Sequence, residues 1–264
     1  KDDLLFFTNK GRCHAIEAFK IPVSSRGQVG KYISNFISLE DDEKVVSMIS
    51  RSVDSKDDEL LFVTKYGTGK RFELDNLSKT RITTKVINFK ESDELVSVVL
   101  FRKGDHLLVL TAKGQGVRFN PDAEGGKGMR PMGRSAIGVN TVNLADDDYV
   151  IGAVTILDDE DLFLVTENGM GKRTKFDQFP TQSRGTKGVR AITINEKTGK
   201  LVAATTVKEK DDLFISTQNR LINRITVDDI RPMGRNASGV KVINLNEGDF
   251  VTSISKNTED EDED

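Results

Sequence analysis

The sequence predicts an all-β chain assembled from five propeller-like blade repeats of about 50 residues each. Three observations carry the prediction. An apolar run ending in Thr recurs five times, over residues 4–8, 60–64, 107–111, 162–166 and 213–217, with the threonines 56, 47, 55 and 51 residues apart. Three residues after the Thr stands Gly11, Gly67, Gly114 or Gly169, with Arg220 in the fifth copy. Helical periodicity is nearly absent, and only residues 17–21 and 75–77 read as single turns.

Each repeat unfolds in the same order. The apolar run, rich in Val, Ile, Leu and Phe, reads as a strand. The Thr-x-x-Gly step suits a hairpin, because glycine takes up the positive φ where the chain reverses. The next strand carries an arginine seven residues after the Thr, at Arg71, Arg118, Arg173 and Arg224, with Ala15 in the first copy. About 18 residues after the Thr comes Arg-x-x-x-Gly, at Arg26/Gly30, Arg184/Gly188 and Arg235/Gly239. In the third copy this step lengthens to 23 residues, at Arg134/Gly138, and in the second it degenerates to Arg81/Lys85. An acidic turn and a closing strand end the unit, as in Asp93-Glu94-Leu95-Val96-Ser97-Val98-Val99. The blades fall near residues 1–56, 57–104, 105–158, 159–209 and 210–256. The polar stretches 52–58 and 208–212 join blades rather than domains, so residues 1–256 form one domain.

The strongest internal match is nearly verbatim. Arg130-Pro131-Met132-Gly133-Arg134-Ser135-Ala136-Ile137-Gly138-Val139 returns as Arg231-Pro232-Met233-Gly234-Arg235-Asn236-Ala237-Ser238-Gly239-Val240, eight of ten identical and two repeats apart.

Composition narrows the function. In 264 residues, 39 Lys and Arg face 42 Asp and Glu, a net charge of −3. Residues 259–264 are all acidic, and without them 39 basic residues face 36 acidic ones. The body is therefore mildly basic. Residues 257–264 are expected to be a disordered polyanionic tail, since a block of like charges repels itself. One cysteine, Cys13, rules out a disulfide framework, and two histidines, His14 and His106, are too few for a His-rich metal centre. No apolar run approaches the roughly 18 residues of a membrane span, and no signal-type segment opens the chain, so a cytoplasmic protein without membrane contact is expected. The chain opens on Lys1 rather than Met, as a piece of a longer protein would.

Catalytic chemistry finds no footing. The carboxylates cluster in turns such as Glu40-Asp41-Asp42-Glu43 and Asp146-Asp147-Asp148, where they read as solvated turn residues rather than acid–base pairs. No nucleophile elbow, Walker loop or HExxH occurs. Tyr32, Tyr66 and Tyr149, the only tyrosines, sit in or beside strand patterns and read as structural. Gly125-Gly126-Lys127-Gly128 can cradle a phosphate through its amides; the plainer reading is an insertion of about five residues in a tolerant loop.

The periodic basic residues are harder to set aside. A lone arginine on a strand is ordinarily a solvated face. Radial repetition, however, puts Arg71, Arg118, Arg173 and Arg224 at equivalent positions, one blade apart. Arg26, Arg134, Arg184 and Arg235 form a second such series beside glycines, where a backbone can approach a partner closely. Guanidinium series with few aromatics (6%, and no Trp) suit phosphates rather than stacked bases. Duplex backbone curved around the repeats fits them. Bending 20–30 bp by 40–90° costs on the order of 1–6 kcal/mol, so the contacts must be distributed along the arc. The candidate DNA-binding residues are Arg26, Lys31, Lys70, Arg71, Arg118, Lys127, Arg134, Lys172, Arg173, Arg184, Lys187, Arg224 and Arg235.

Three stretches resemble a known family: Leu5-Phe6-Phe7-Thr8-Asn9-Lys10-Gly11-Arg12, Val165-Thr166-Glu167-Asn168-Gly169-Met170-Gly171-Lys172-Arg173-Thr174, and the two Arg-Pro-Met-Gly-Arg segments. They resemble the C-terminal domain of the A chain of bacterial DNA gyrases, across essentially the whole sequence. The resemblance implies a six-bladed β-pinwheel, of which five repeats are seen here, whose basic rim wraps duplex DNA and so supports ATP-dependent negative supercoiling. It implies no active site here: the cleavage tyrosine lies in the N-terminal part of the gyrase A polypeptide, whereas ATP, with Mg, acts in gyrase B. The implied partners are double-stranded DNA and the rest of a holoenzyme of two gyrase A and two gyrase B polypeptides in the bacterial nucleoid, with the isolated domain a monomer. The family's first-blade box, Gln-Arg-Arg-Gly-Gly-Lys-Gly, does not occur. Its nearest match, Gln182-Ser183-Arg184-Gly185-Thr186-Lys187-Gly188, shares five of seven residues but sits in the fourth copy. The five repeats align with family blades two to six, which places the box upstream. The runner-up is the equivalent domain of topoisomerase IV, which lacks an intact box; box loss by truncation and true absence look identical in these residues. Acidic tails in the family can modulate wrapping, and residues 259–264 can compete with phosphate at high effective concentration or serve only as a solubilising end. A protein-interaction propeller is the alternative from another class. It calls for apolar hot spots, and in WD40 form for tryptophans that are absent.

Overall fold

The Thr-terminated runs are the central strands of their sheets, and their near-continuous apolar sequence matches burial on both faces. The computed structural model describes residues 2–23, 31–52, 58–77, 83–90 and 92–257. Arg26, Gly30, Arg81 and the acidic residues 259–264 lie outside that set. The first repeat supplies β1 (Asp3–Thr8), β2 (Arg12–Glu17) and β3 (Val45–Arg51). The second supplies β4 (Glu59–Thr64), β5 (Thr68–Glu73), β6 (Thr83–Lys85) and β7 (Leu95–Phe101). The third gives β8 (His106–Thr111), β9 (Gln115–Phe119), β10 (Val139–Asn140) and β11 (Val150–Ile156). The fourth gives β12 (Asp161–Thr166), β13 (Met170–Lys175), β14 (Val189–Arg190) and β15 (Leu201–Val207). The fifth gives β16 (Asp212–Thr217), β17 (Ile222–Thr226), β18 (Val240–Lys241) and β19 (Val251–Asn257). The only helical elements among the described residues are single 3-10 turns. Ala18–Lys20 and Leu74–Leu77 fall where the sequence suggested turns, and Ile33–Asn35, Phe176–Gln178 and Val227–Asp229 join them.

Among the described residues the chain is all-β, with five blade-like sheets. Their orders are β3-β1-β2-β6, β10-β5-β4-β7, β11-β8-β9-β14, β15-β12-β13-β18 and β17-β16-β19. Each short outer strand therefore comes from the repeat that follows. The sequence repeat is not the sheet. Among the described residues the fifth sheet has three strands, and its β17 leaves Ile222 64% exposed.

Two compact units result: residues 1–103 with 129–139, and residues 104–128 with 140–264. Segment 129–139 of the third repeat joins the first unit because it leads into β10, the outer strand beside β5. In the first unit Leu5 and Phe7 of β1 pack with Leu60 and Phe62 of β4, and Phe62 meets Phe7 and Phe72 edge-on at 5.6 and 5.7 Å. In the second, Leu108 and Leu110 of β8 pack with Leu162 and Leu164 of β12. The other face of β12, Phe163 and Val165, packs with Leu213 and Ile215 of β16. Alternate residues of one strand thus serve two neighbouring cores, as a period of two requires.

The repeat signature has local causes. The Thr hydroxyl accepts the N–H four residues on, from Thr68 to Thr64 at 3.0 Å and from Leu221 to Thr217 at 3.1 Å. Gly11, Gly67, Gly114 and Gly169 have φ between +72° and +82°, and Arg220 in the fifth copy takes φ +66° despite its side chain. The acidic turns are also structural. Asp148 accepts the Lys113 N–H at 2.9 Å, while Thr8 and Thr217 donate to Glu43 and Asp249 at 2.6 and 2.7 Å. Burial raises the pKa of Glu43 and Asp249, but the Glu40 N–H, Thr8 and the Arg12 charge outweigh it at Glu43, as Thr217 and the Asn219 and Phe250 N–H groups do at Asp249, and both carboxyls stay below their ordinary range.

Candidate functional site

Two residues on the second strand of a sheet, six and seven after the Thr, govern how the loop before the outer strand is held. The arginine position is a cross-strand crosslink. Arg71 pairs with Glu59, its Nη2 2.7 Å from Oε1, and Arg173 Nε donates to Asp161 Oδ2 at 2.6 Å. Arg224 Nε reaches Asp212 at 2.9 Å, and Arg118 Nε lies 3.4 Å from His106 Nδ1. In each case the partner opens the neighbouring strand, 12 residues back. In the first copy, where Ala15 replaces the arginine, Asp3 at the matching position pairs with Arg51 of β3.

The same guanidiniums also bond to backbone beyond their strands. Arg71 Nη1 donates to the Met129 carbonyl at 3.1 Å, and Arg118 Nη1 to those of Phe176 and Phe179 at 3.0 and 3.2 Å. Arg173 Nη1 donates to Val227 at 3.5 Å. The expected solvent-facing arginine series is corrected here. Arg71 and Arg173 are 7% and 6% exposed because each neutralises a carboxylate inside its sheet, Arg118 is half-buried, and Arg224 alone is open.

The residue before the arginine turns inward. Lys70 and Lys172, expected to contact DNA, are fully buried. Lys70 Nζ donates to the Val86 and Arg134 carbonyls at 2.6 and 2.9 Å. Lys172 Nζ donates to Gly234 and Arg235 at 2.9 and 2.7 Å. Burial pushes Lys70 down to about 8; burial, then repulsion from Arg235, pushes Lys172 down to about 7. The other copies place different groups there. His14 shares a 3.0 Å hydrogen bond with Thr83 Oγ1, Val117 is buried, and Asn223 Nδ2 donates to Val242 at 3.1 Å. Burial, then the Arg12 charge, holds His14 below its usual pKa, against the opposing pull of Glu43.

The Arg-x-x-x-Gly glycines approach this same strand. A β-carbon on Gly138, Gly188 or Gly239 would lie 2.3, 2.4 or 2.5 Å from the carbonyl oxygen of Gly69, Gly116 or Gly171. The close approach expected toward a partner is thus made to the chain's own backbone. The Arg-Pro-Met-Gly-Arg loops are held from below as well: the Met132 N–H donates to Arg71 O at 2.9 Å and the Met233 N–H to Arg173 O at 2.7 Å. The Arg184 loop makes the same contact, the Gln182 N–H to Arg118 O at 2.8 Å, and the two Arg-Pro-Met-Gly-Arg segments share in addition a lysine beside the arginine beneath them.

On the loops themselves the arginines reach outward and sideways. Arg134, exposed, donates to the Asn76 carbonyl at 3.0 Å. Arg184 donates to Gly128 and Asn140 at 2.7 and 3.1 Å. Arg235 donates to Arg190 O at 2.6 Å, its guanidinium 6.0 Å from the Phe179 ring. Lys31, Lys127 and Lys187 are exposed. In the Gly-rich segment a β-carbon on Gly128 would meet the Pro121 carbonyl at 2.3 Å, whereas Gly125 and Gly126 have open space around them. Gly128 closes a turn on which Arg184 fastens.

Exposed bases that sequence reasoning passed over stand on the same segments. Arg130 and Arg231 precede the loop prolines, while Arg190 and Lys241 lie two residues after Gly188 and Gly239. The shared offset from the glycine was their signal.

A family model described as DNA gyrase C-terminal domain, beta-propeller, matches residues 2–51, 58–102, 105–123, 130–156, 160–208 and 211–257. The break after residue 123 falls where the third copy lengthens. The gyrase A protein of Staphylococcus epidermidis is 39% identical over 266 residues, 99% of this chain and 29% of that protein. The chain thus spans less than a third of the curated relative's length. A crystal structure of the C-terminal domain of DNA topoisomerase IV superposes with a TM-score of 0.84 at 27% identity, covering 97% of this chain and 79% of that one. A structure of the DNA gyrase A C-terminal domain gives 0.82 at 26%, covering 97% and 82%.

Proposed function

Because this chain belongs to the DNA gyrase C-terminal domain family, we propose that it is a duplex-DNA binding and wrapping module of a type IIA topoisomerase with no catalytic site of its own. The observation that carries the reading is the recurrence of loop arginines, Arg134, Arg184 and Arg235, each at the same distance before a glycine packed on its sheet. Lys31, Lys127, Lys187 and Arg224 add exposed charge, and Arg26 belongs to the same sequence series. Arg130, Arg190, Arg231 and Lys241 extend it. Fixed guanidiniums on repeated loops suit phosphates spaced along a duplex and carry no base code.

In this reading the module curves DNA for the strand passage performed by the rest of gyrase A together with gyrase B. ATP and Mg act there, and this chain holds neither. The protein works in the bacterial cytoplasm on the nucleoid, and the isolated domain is a monomer. Residues 259–264 compete with DNA phosphate for the loops. A second reading, the corresponding module of topoisomerase IV, is favoured by the 0.84 superposition, whereas the gyrase reading is favoured by 39% identity along nearly the whole chain.

The test is binding to duplexes of about 150 and about 20 bp over a salt series, with and without residues 259–264. Tight binding that prefers the long duplex and weakens steeply with salt is expected, because neutralised phosphates release counterions. Deleting the tail should tighten it. Salt-insensitive binding, or none, would overturn the reading.

A further inference from the structure

The two Arg-Pro-Met-Gly-Arg loops differ from the loops of the other copies in what lies beneath them. Lys172 places its ammonium against two consecutive carbonyls, Gly234 and Arg235, and Lys70 places its own against Arg134 and Val86. Val117 occupies the same position in the third copy and offers no donor there. Each clamped loop carbonyl belongs to the loop arginine, exposed at Arg134 and half-buried at Arg235, or to its neighbour. Arg235 is held at three places: its carbonyl by Lys172, its N–H by Gln178 Oε1 at 3.0 Å, and its guanidinium by Arg190 O at 2.6 Å. Arg134 is held at its carbonyl by Lys70 and at its guanidinium by Asn76 O at 3.0 Å.

A buried ammonium is a costly way to fasten a loop, because burial penalises the charged form. What an ammonium provides and an apolar group cannot is a directional hold on backbone carbonyls, and a loop fixed before binding does not lose that freedom on binding.

We propose that Lys70 and Lys172 are positioning residues, which fix the Arg134 and Arg235 loops in advance for contact with polyanionic backbone. The two clamped loops are then fixed from beneath, whereas the loop of Arg184, above Val117, is fixed from the side through Lys127, Gly128 and Asn140. This rests on the duplex-binding reading.

The experiment is a double-mutant cycle on this chain with Lys172→Met and Arg235→Ala, read by affinity for a duplex of about 150 bp. Arg235→Ala should weaken binding about tenfold, the worth of one charge-assisted contact, and flatten the salt slope by about 1. Lys172→Met should cost the same, and the double variant no more than either single one. Lys172→Gln, which keeps an N–H donor, should recover part of the loss. Amide exchange is the second readout: the Met233 and Ala237 N–H groups should exchange at least about tenfold faster in Lys172→Met, while β12 stays unchanged. Additive losses in the cycle, or unchanged loop exchange, would overturn the proposal. If the unaltered chain binds no duplex, the functional reading fails and phosphate positioning fails with it. Loop exchange would still report whether Lys172 holds the loop.

Discussion

Gly239 crosses Gly171 so closely that a β-carbon on it would sit 2.5 Å from the Gly171 carbonyl oxygen, and its φ is +86°. No other residue meets both demands. The contact recurs as Gly138 on Gly69 and Gly188 on Gly116, so it is a repeated joint between a loop and the sheet it completes. Gly239→Ala should destabilise the chain by about 2–4 kcal/mol, combining left-handed strain with overpacking against backbone. Chemical denaturation checks this, and a loss below about 0.5 kcal/mol would mean that the loop moves aside freely.

The arginine crosslinks should differ with burial. Arg173 and Asp161 are both nearly excluded from water, whereas the Arg224 side chain is 60% exposed against a buried Asp212. Arg173→Met should cost about 3 kcal/mol, because it strips a buried carboxylate of its main partner. Arg224→Met should cost less than Arg173→Met, because water reaches the guanidinium side of this pair and Thr226 Oγ1 still donates to Asp212 at 3.1 Å. Equal losses on thermal or urea unfolding would contradict this account of the series.

Stability should rise with pH just above neutrality. Lys172 and Lys70 sit at about 7 and about 8 in the folded chain, below the 10.5 of a free lysine. Above those values the unfolded chain holds protons that the folded one has released, so the slope of unfolding free energy with pH is positive. Lys172 alone contributes at most about 1.4 kcal/mol per pH unit. Two other buried groups bound the window. His14 is held below 6.5 in the folded chain, so its own gain with pH levels off about one unit above that unfolded value. Cys13 is pushed by burial from 9.0 to about 12, so stability falls once unfolded thiols ionise above about pH 9. Urea midpoints between pH 7 and 9 should therefore climb, and Lys172→Met should flatten the climb. A flat profile in the unaltered chain would show that both lysines stay charged where they lie.

Arg220 holds the left-handed conformation that glycine holds in the four other hairpins, at φ +66°. Arg220→Gly should stabilise the chain by about 1 kcal/mol by removing that strain. The melting temperature would show it directly, and no rise would mean that the Arg220 side chain makes compensating contacts.

Part of this was legible in local pattern. Thr-x-x-Gly foretold hairpins because the hydroxyl and the positive φ act within five residues, and the runs at 60–64, 107–111 and 162–166 are so evenly apolar that burial on both faces follows. The loop bases Arg134 and Lys187 were also legible, since a polar loop residue beside glycine is exposed unless something intervenes. Lys70, Arg71, Lys172 and Arg173 were not. A basic residue on a strand looks the same in sequence whether it faces water or a carbonyl from a loop some 60 residues away.

The order of residues was enough to set the number of repeats, the strand–turn–strand order inside each and the glycines on which the turns depend, because all of these act over a few neighbouring residues. Tertiary packing was needed to show that each sheet takes its outer strand from the following repeat, and therefore which basic residues lie under a loop and which lie on it. Burial is a property of what packs above a residue. Here the covering element belongs to the next repeat, so periodicity placed the arginines and lysines in register while the exchange of strands sorted them into buried fasteners and residues carried on the loops.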